Sequence, residues 1–173
     1  MQERDLLITE FIENNPCRST TIAKVFNMPI RIVNRRLKAL TEYGYINRYR
    51  ENVNNAYFYY ASSNRPKQIH HMDLVALSYV YIRQMGYEIL SFRREVALNG
   101  IRPDALVLVS KDNRQHYICV EVERNNNRLP KKINKYHMQQ QLKEYEILYV
   151  CNKPVKDKLI KITTIRPMDL LNI

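Results

Sequence analysis

Three carboxylates punctuate two short apolar runs in residues 101–124, IRPDALVLVSKDNRQHYICVEVER: Asp104 opens the first run, and Glu121 and Glu123 close the second. Ala105-Leu106-Val107-Leu108-Val109 reads as a strand buried on both faces, and ionised carboxylates at its edge must find cations, donors or a metal. Glu121 and Glu123 are two residues apart and so share one face of a strand. Asp104 is their neighbour across a hairpin, and Glu95, near the end of a preceding strand, can join them. Carboxylates converging on one point, with a cation to position or activate water, are what a one- or two-metal phosphodiesterase needs. Asp104 and Glu121 are the candidate metal ligands, and Mg2+ is the ion if the site is active.

Four carboxylates without a counter-charge would repel one another strongly. Arg102, Arg124, Arg128, Lys131, Lys132 and Lys135 surround these strands in sequence. Lys131 or Lys135, on a following helix, can supply a catalytic cation. The alternative is that the acids pair with these bases and only fix the sheet to the helix. The paired His70-His71 point in different directions at a helix start, and His116 and His137 have no ligand partners at useful spacing.

These residues need a frame. Asp73 can cap a helix reaching about Met85. Strands follow near 87–98, 102–109 and 116–123, with a turn at Asp112-Asn113, then a helix at 129–142 and a strand at 145–151. The tail from Val155 reads as a short helix or a strand pair. The Pro103-Asp104 step, the hairpin and the acid-x-acid strand, set in this α-β-β-β-α-β order, resemble the PD-(D/E)xK nuclease-like fold. Active nucleases of that fold carry Lys two residues beyond the strand acid. This chain has Glu123 there, which adds repulsion toward phosphate and hydroxide, so the resemblance implies nuclease ancestry with no turnover.

The N-terminal part reads differently. Leu6, Leu7, Phe11 and Ile12 form a helical stripe that stops at Asn14-Asn15-Pro16. Ser19 or Thr20 can cap a second helix bearing Ile22, Ala23, Val25 and Phe26. Pro29 suits the first turn of a third, in which Ile30, Val33, Leu37 and Leu40 recur at spacings of three and four. Gly44 ends it, and the runs 45–50 and 56–61 read as a β-hairpin. Residues 18–50 hold eight basic side chains and one acid, Glu42.

Three helices, the last basic, followed by a hairpin, are the order of a winged helix-turn-helix. Arg36-Leu37-x-x-Leu40-x-x-x-Gly44-x-Ile46-x-Arg48 resembles the recognition helix and wing of bacterial winged-helix regulators. Arg31, Asn34 and Arg35 would share one helix face and read base edges, while Lys38, Arg48 and Arg50 would hold phosphates. Tyr57, Tyr59 and Tyr60 beside the wing can touch a sugar-phosphate backbone. The competing reading is a solvated basic helix face.

The whole set is similar to the replication-relaxation family of bacterial plasmids and mobile elements: the winged helix, His71-x-Asp73-Leu74, Arg93-Arg94-Glu95, Arg102-Pro103-Asp104-Ala105, Val120-Glu121-Val122-Glu123-Arg124, and Lys132, Lys135 and Tyr136. The resemblance implies a double-stranded DNA-binding accessory protein for replication, mobilisation or transcription control. Its partners would be duplex DNA, a second copy of the chain and a replication or mobilisation protein. If the nuclease-like site were active, Asp104, Glu121, Glu123, Glu95 and Lys135 would carry a metal-dependent endonuclease targeted by the winged helix.

Composition agrees with an α+β chain of two small domains, at 1–64 and 68–173, joined by the polar Ser62-Ser63-Asn64-Arg65-Pro66 connector. A formal charge of +11 attracts polyanions. Three cysteines at no zinc spacing make neither a metal knot nor a disulfide framework. No run suits a membrane span and no leader is evident, so the chain is read as cytoplasmic. Three glycines, none in a phosphate-cradling motif, argue against a P-loop or dinucleotide site.

Overall fold

Asn15 sits before Pro16, and its backbone leaves the helical region there, so α1 (Glu3–Asn14) stops where the sequence requires. The computed structural model describes residues 2–98, 100–123, 129–138, 145–158 and 160–173. They form an α+β protein of two compact units, Met1–Leu77 and Ser78–Ile173.

In the first unit, β1 (Cys17–Arg18) leads into α2 (Ser19–Val25), α3 (Ile30–Glu42), β2 (Asn47–Tyr49) and β3 (Phe58–Tyr60). The three strands pair antiparallel in the order β1-β3-β2. Tyr43 closes α3, and Gly44, at φ +77°, lets the Tyr45 amide reach back to the Leu40 carbonyl at 3.0 Å. Only glycine enters that left-handed region without cost. Ile8, Ile12, Ile22, Val33, Leu37, Leu40, Ile46 and Tyr59 make one core. Neither Ser19 nor Thr20 caps α2. The N-cap is Arg18, because Ser19 is already helical and its amide donates to the Tyr57 carbonyl across the β1 edge at 3.3 Å.

Helix α4 (Ile69–Gln84) starts one turn before Asp73, and the division between the units falls inside it, after Leu77. Asp73 is therefore not a cap. Its buried carboxylate accepts from the Arg18 amide at 2.9 Å, Arg18 Nε at 2.7 Å and the Thr21 hydroxyl at 2.6 Å. Those three donors satisfy a charge that would otherwise be prohibitive at that depth.

The second unit continues with β4 (Glu88–Arg94), β5 (Ala105–Lys111), β6 (Arg114–Glu123), α5 (Leu129–Met138), β7 (Glu146–Cys151), β8 (Ile162–Ile165) and α6 (Pro167–Leu171). The five strands form a mixed sheet in sequence order, antiparallel from β4 to β6 and parallel from β6 to β8. Asp112 and Asn113 turn the β5–β6 hairpin with φ of +51° and +60°, as a two-residue type I′ turn requires. Strand β5 is fully buried only on the Ala105, Val107 and Val109 side, with Leu106 and Leu108 half-covered. The apolar run alone does not reveal this, since leucine occupies the half-covered positions too. The tail adds both a strand and a helix. Among the described residues, no helix is long and apolar enough to cross a membrane.

Candidate functional site

Pleating puts Cys119, Glu121 and Glu123 on one face of β6, with Leu106 of β5 beside Cys119 and Tyr149 of β7 beside Glu121. The core on that face contains Cys119, Tyr136, Ile147, Tyr149 and Cys151, with Ile133 packed against it. Tyr136 and Ile133 are the inward residues of α5. Lys132 lies one turn before Tyr136, so its ammonium is carried to the same face.

Glu121 is 1% exposed and both its oxygens are engaged: Lys132 Nζ donates to Oε2, and the Tyr136 hydroxyl donates to Oε1 at 2.8 Å. Burial pushes the Glu121 carboxyl above its ordinary value and Asp104 adds to the push, while Lys132 and Tyr136 oppose it. Burial alone would lower the Lys132 ammonium, but Glu121, Asp104 and Glu123 raise it. The two shifts assign the cost differently. Lys132 gains by ionising and Glu121 loses, because the lysine side chain keeps 29% of its surface in solvent and the glutamate almost none.

Asp104 stands where the β5 ladder has ended. The pairing begins at Ala105 with Val120, and Asp104 Oδ2 extends it by accepting from the Val122 amide at 2.8 Å. Glu123 ends β6 opposite Cys151, and its charge acts on Lys132 and Tyr149. Tyr149 is buried beside Glu121, and its hydroxyl has no hydrogen-bond partner among the described residues. Burial first, then Glu121, holds that phenol far above its usual range. Cys119 is pushed up to about 12 by burial, so it is a packed thiol and not a nucleophile.

Glu95 faces elsewhere. At φ +53° it leaves β4, and its carboxylate, half in solvent, meets Arg102 at 2.8 Å and Arg94 at 3.6 Å. It is linked to the site by its amide, which donates to the Asp104 carbonyl at 3.3 Å, and through Arg94, whose charge lies near both Glu95 and Asp104. Lys131 and Lys135 are exposed on α5. The cation that faces Glu121 is Lys132, reachable from sequence through its four-residue spacing to Tyr136. Arg124 and Arg128 lie outside the described residues. Among the described residues, no three His, Cys, Asp or Glu side chains are grouped to hold a metal. Each Glu121 oxygen accepts one donor, Asp104 Oδ2 accepts the Val122 amide, and the Glu95 carboxylate is paired with Arg102.

The basic set of the first unit divides in two. Arg31, Asn34, Arg35 and Lys38 are exposed on α3, opposite the buried Val33, Leu37 and Leu40. Arg31, Asn34 and Arg35 make no hydrogen bond or ion pair among the described residues, and Lys38 has only a solvent-exposed contact with Glu42 at 3.7 Å. Arg36 and Arg18 are structural, the first bound to Asp5 at 2.6 Å and the second to Asp73. Arg48 and Arg50 each lie 4.7 Å from the Tyr57 ring centroid, which stiffens two cations beside the β2–β3 loop. Tyr59 and Tyr60 are buried. Of the three tyrosines there, only Tyr57 is open to contact. Neither the models of known protein families nor the curated proteins give a match to this chain.

Proposed function

We propose that this chain binds double-stranded DNA through a winged helix-turn-helix in its first unit and serves replication, mobilisation or transcription control of a plasmid or related element. A homodimer reading a palindromic site and a replication or mobilisation protein as partner belong to the same proposal. One observation carries it. The face of α3 opposite its core stripe offers Arg31, Asn34 and Arg35 free of internal partners, while the neighbouring Arg36 is spent on Asp5. Arg and Asn bond guanine and adenine edges in a major groove, and the Arg48–Tyr57–Arg50 stack suits phosphate.

Selection of bound sequences from a random duplex pool, followed by titration of variants, tests this reading. Arg35→Ala is expected to weaken the selected site by about 1–3 kcal/mol and relax choice at one base, whereas Arg50→Ala weakens every sequence alike. Equal losses for Arg35→Ala on selected and random duplexes would remove the base-reading role.

A second reading, a PD-(D/E)xK-type metal-dependent endonuclease, is favoured by Lys132 meeting Glu121, since it restores a cation that Glu123 displaced from the strand. We take the second unit to be a nuclease-like domain without turnover, because Glu123 stands at the strand position of the catalytic Lys and each Glu121 oxygen already accepts a donor, from Lys132 or Tyr136. Plasmid and branched DNA incubated with Mg2+ or Mn2+ should stay intact. Nicking that vanishes in a folded Asp104→Ala/Glu121→Ala variant would promote the endonuclease instead.

A further inference from the structure

The excess positive charge is not concentrated in the unit that carries α3. Ser78–Ile173 holds 17 of the Lys and Arg residues against 10 Asp and Glu, an excess of seven, while Met1–Leu77 has 11 against seven. Several cations of the second unit are absorbed by partners. Lys132 faces Glu121, Lys161 faces Glu146, Arg102 holds Glu95, Arg166 holds Asp169, and Lys111 donates to the Met85 carbonyl. Five are not. Lys131 and Lys135 on α5, and Lys153, Lys156 and Lys158 after β7, are exposed and make no ion pair among the described residues.

The last turn of α5 and the segment after β7 meet. His137 Nε2 lies 2.7 Å from Asp157 Oδ2, and the other oxygen, Oδ1, accepts from the Ile160 amide at 3.1 Å. Asp157 is thus the hinge pin of the loop, with both oxygens used. On either side of it, Lys156 and Lys158 project into solvent and, with His137 and Asp157, line an open cleft of about 780 Å³. Among the described residues of the lining, the one acid, Asp157, is engaged by the His137 imidazole and the Ile160 amide, and the two lysines beside it make no ion pair.

We propose that this cleft and its flanking lysines form a second DNA contact, on the second unit, that grips the phosphodiester backbone without reading sequence. The occupant follows from the chemistry. Lysines are flexible point charges that neutralise phosphate but do not fix a planar bidentate geometry. Five of them on two adjoining elements, two of which line an open cleft, suit an extended polyanion better than one small anion. Duplex DNA presents a charge about every 1.7 Å of its axis and releases a counterion for each phosphate neutralised. This contact deepens the DNA-binding proposal but uses residues of a different unit, so the two can fail separately.

The test is a salt titration of full-length protein on long linear duplex lacking any selected site, comparing the parent, Lys156→Ala/Lys158→Ala and Arg35→Ala. The lysine variant alters only exposed residues, and circular dichroism checks that it keeps its fold. Its slope of log affinity against log salt should fall by about 1.8, at about 0.9 per phosphate contact, with the same proportional loss on a selected site. An unchanged slope in the lysine variant, with Arg35→Ala still weakening the selected site, overturns the second contact and leaves the helix α3 reading standing. A lysine effect without any Arg35 effect reverses those fates. Parent protein that binds vesicles of anionic phospholipid through these lysines but binds no duplex overturns the inference in favour of a lipid surface.

Discussion

Lys132→Met should destabilise the protein by about 3–5 kcal/mol near neutral pH, the usual cost of leaving a buried charge without its partner. Methionine keeps the apolar stem that lies along α5 and removes only the ammonium. What remains is Glu121, 1% exposed, with a single neutral donor, the Tyr136 hydroxyl at 2.8 Å. The pH dependence has a definite sign. Burial already raises the folded Glu121 carboxyl above its ordinary value of 4.5. Such a group contributes stability that is fully present below that ordinary value and lost as pH rises through the higher folded one. Without Lys132 the folded value climbs further, so the gap between variant and parent should open as pH rises through the parent's own folded value, which lies above 4.5, and close below it. Urea denaturation of both proteins across that range measures the gap. Glu121→Leu added to Lys132→Met should recover most of the loss, because a packed apolar pair replaces the charged one. A gap independent of pH, or no recovery in the double variant, would mean that packing, and not the unpaired carboxylate, sets the cost.

Much of the frame was legible because local chemistry and tertiary packing agree there. The α3 stripe of Val33, Leu37 and Leu40 is also its buried stripe, and Gly44 stops it at the left-handed position. Asp112-Asn113 dictated a tight hairpin, which fixed Ala105 opposite Val120 and so brought Asp104 to Glu121. The illegible parts turn on partners far away in sequence. Asp73 looks like a cap from its neighbours alone, and nothing near it announces that Arg18 and Thr21 will claim its oxygens. The two-residue strand β1 carries no period to detect, and only its pairing with Phe58 and Tyr59 defines it. Lys131, Lys132 and Lys135 are equivalent as a charge count. Which of them meets Glu121 depends on the rotation of α5, and that is set by Tyr136 and Ile133 entering the core. Glu95 was displaced by its own backbone, since φ of +53° ends β4 and swings its carboxylate to Arg102.

Asp73, buried with three donors on its carboxylate, holds the β1–α2 corner of the first unit in the same way. Asp73→Leu is expected to destabilise by about 3 kcal/mol or more, since it strands the buried Thr21 hydroxyl, the Arg18 amide and the Arg18 guanidinium together. Asp73→Asn retains an acceptor of the same shape but loses the charge, and charge-assisted bonds are roughly twice as strong as neutral ones, so about half that loss should remain. The Arg18 guanidinium also lies 5.2 Å from the Phe58 ring centroid, a contact that should survive in both variants and limit the damage. Cys17 provides a local reporter. Burial, then the Asp73 charge, holds its thiol well above the usual value, so it should resist alkylation while β1 stays packed. In Asp73→Leu the electrostatic contribution disappears but burial remains, so faster Cys17 alkylation in the native state would report opening of the β1–α2 corner itself. Because α2 packs directly on α3, the leucine variant should also bind duplex DNA more weakly, although a fully buried side chain cannot touch it. Thermal melts, alkylation rates and DNA titrations on the same samples separate these effects. A leucine variant that melts with the parent, keeps Cys17 protected and binds DNA unchanged would show that the three hydrogen bonds do not hold the corner together.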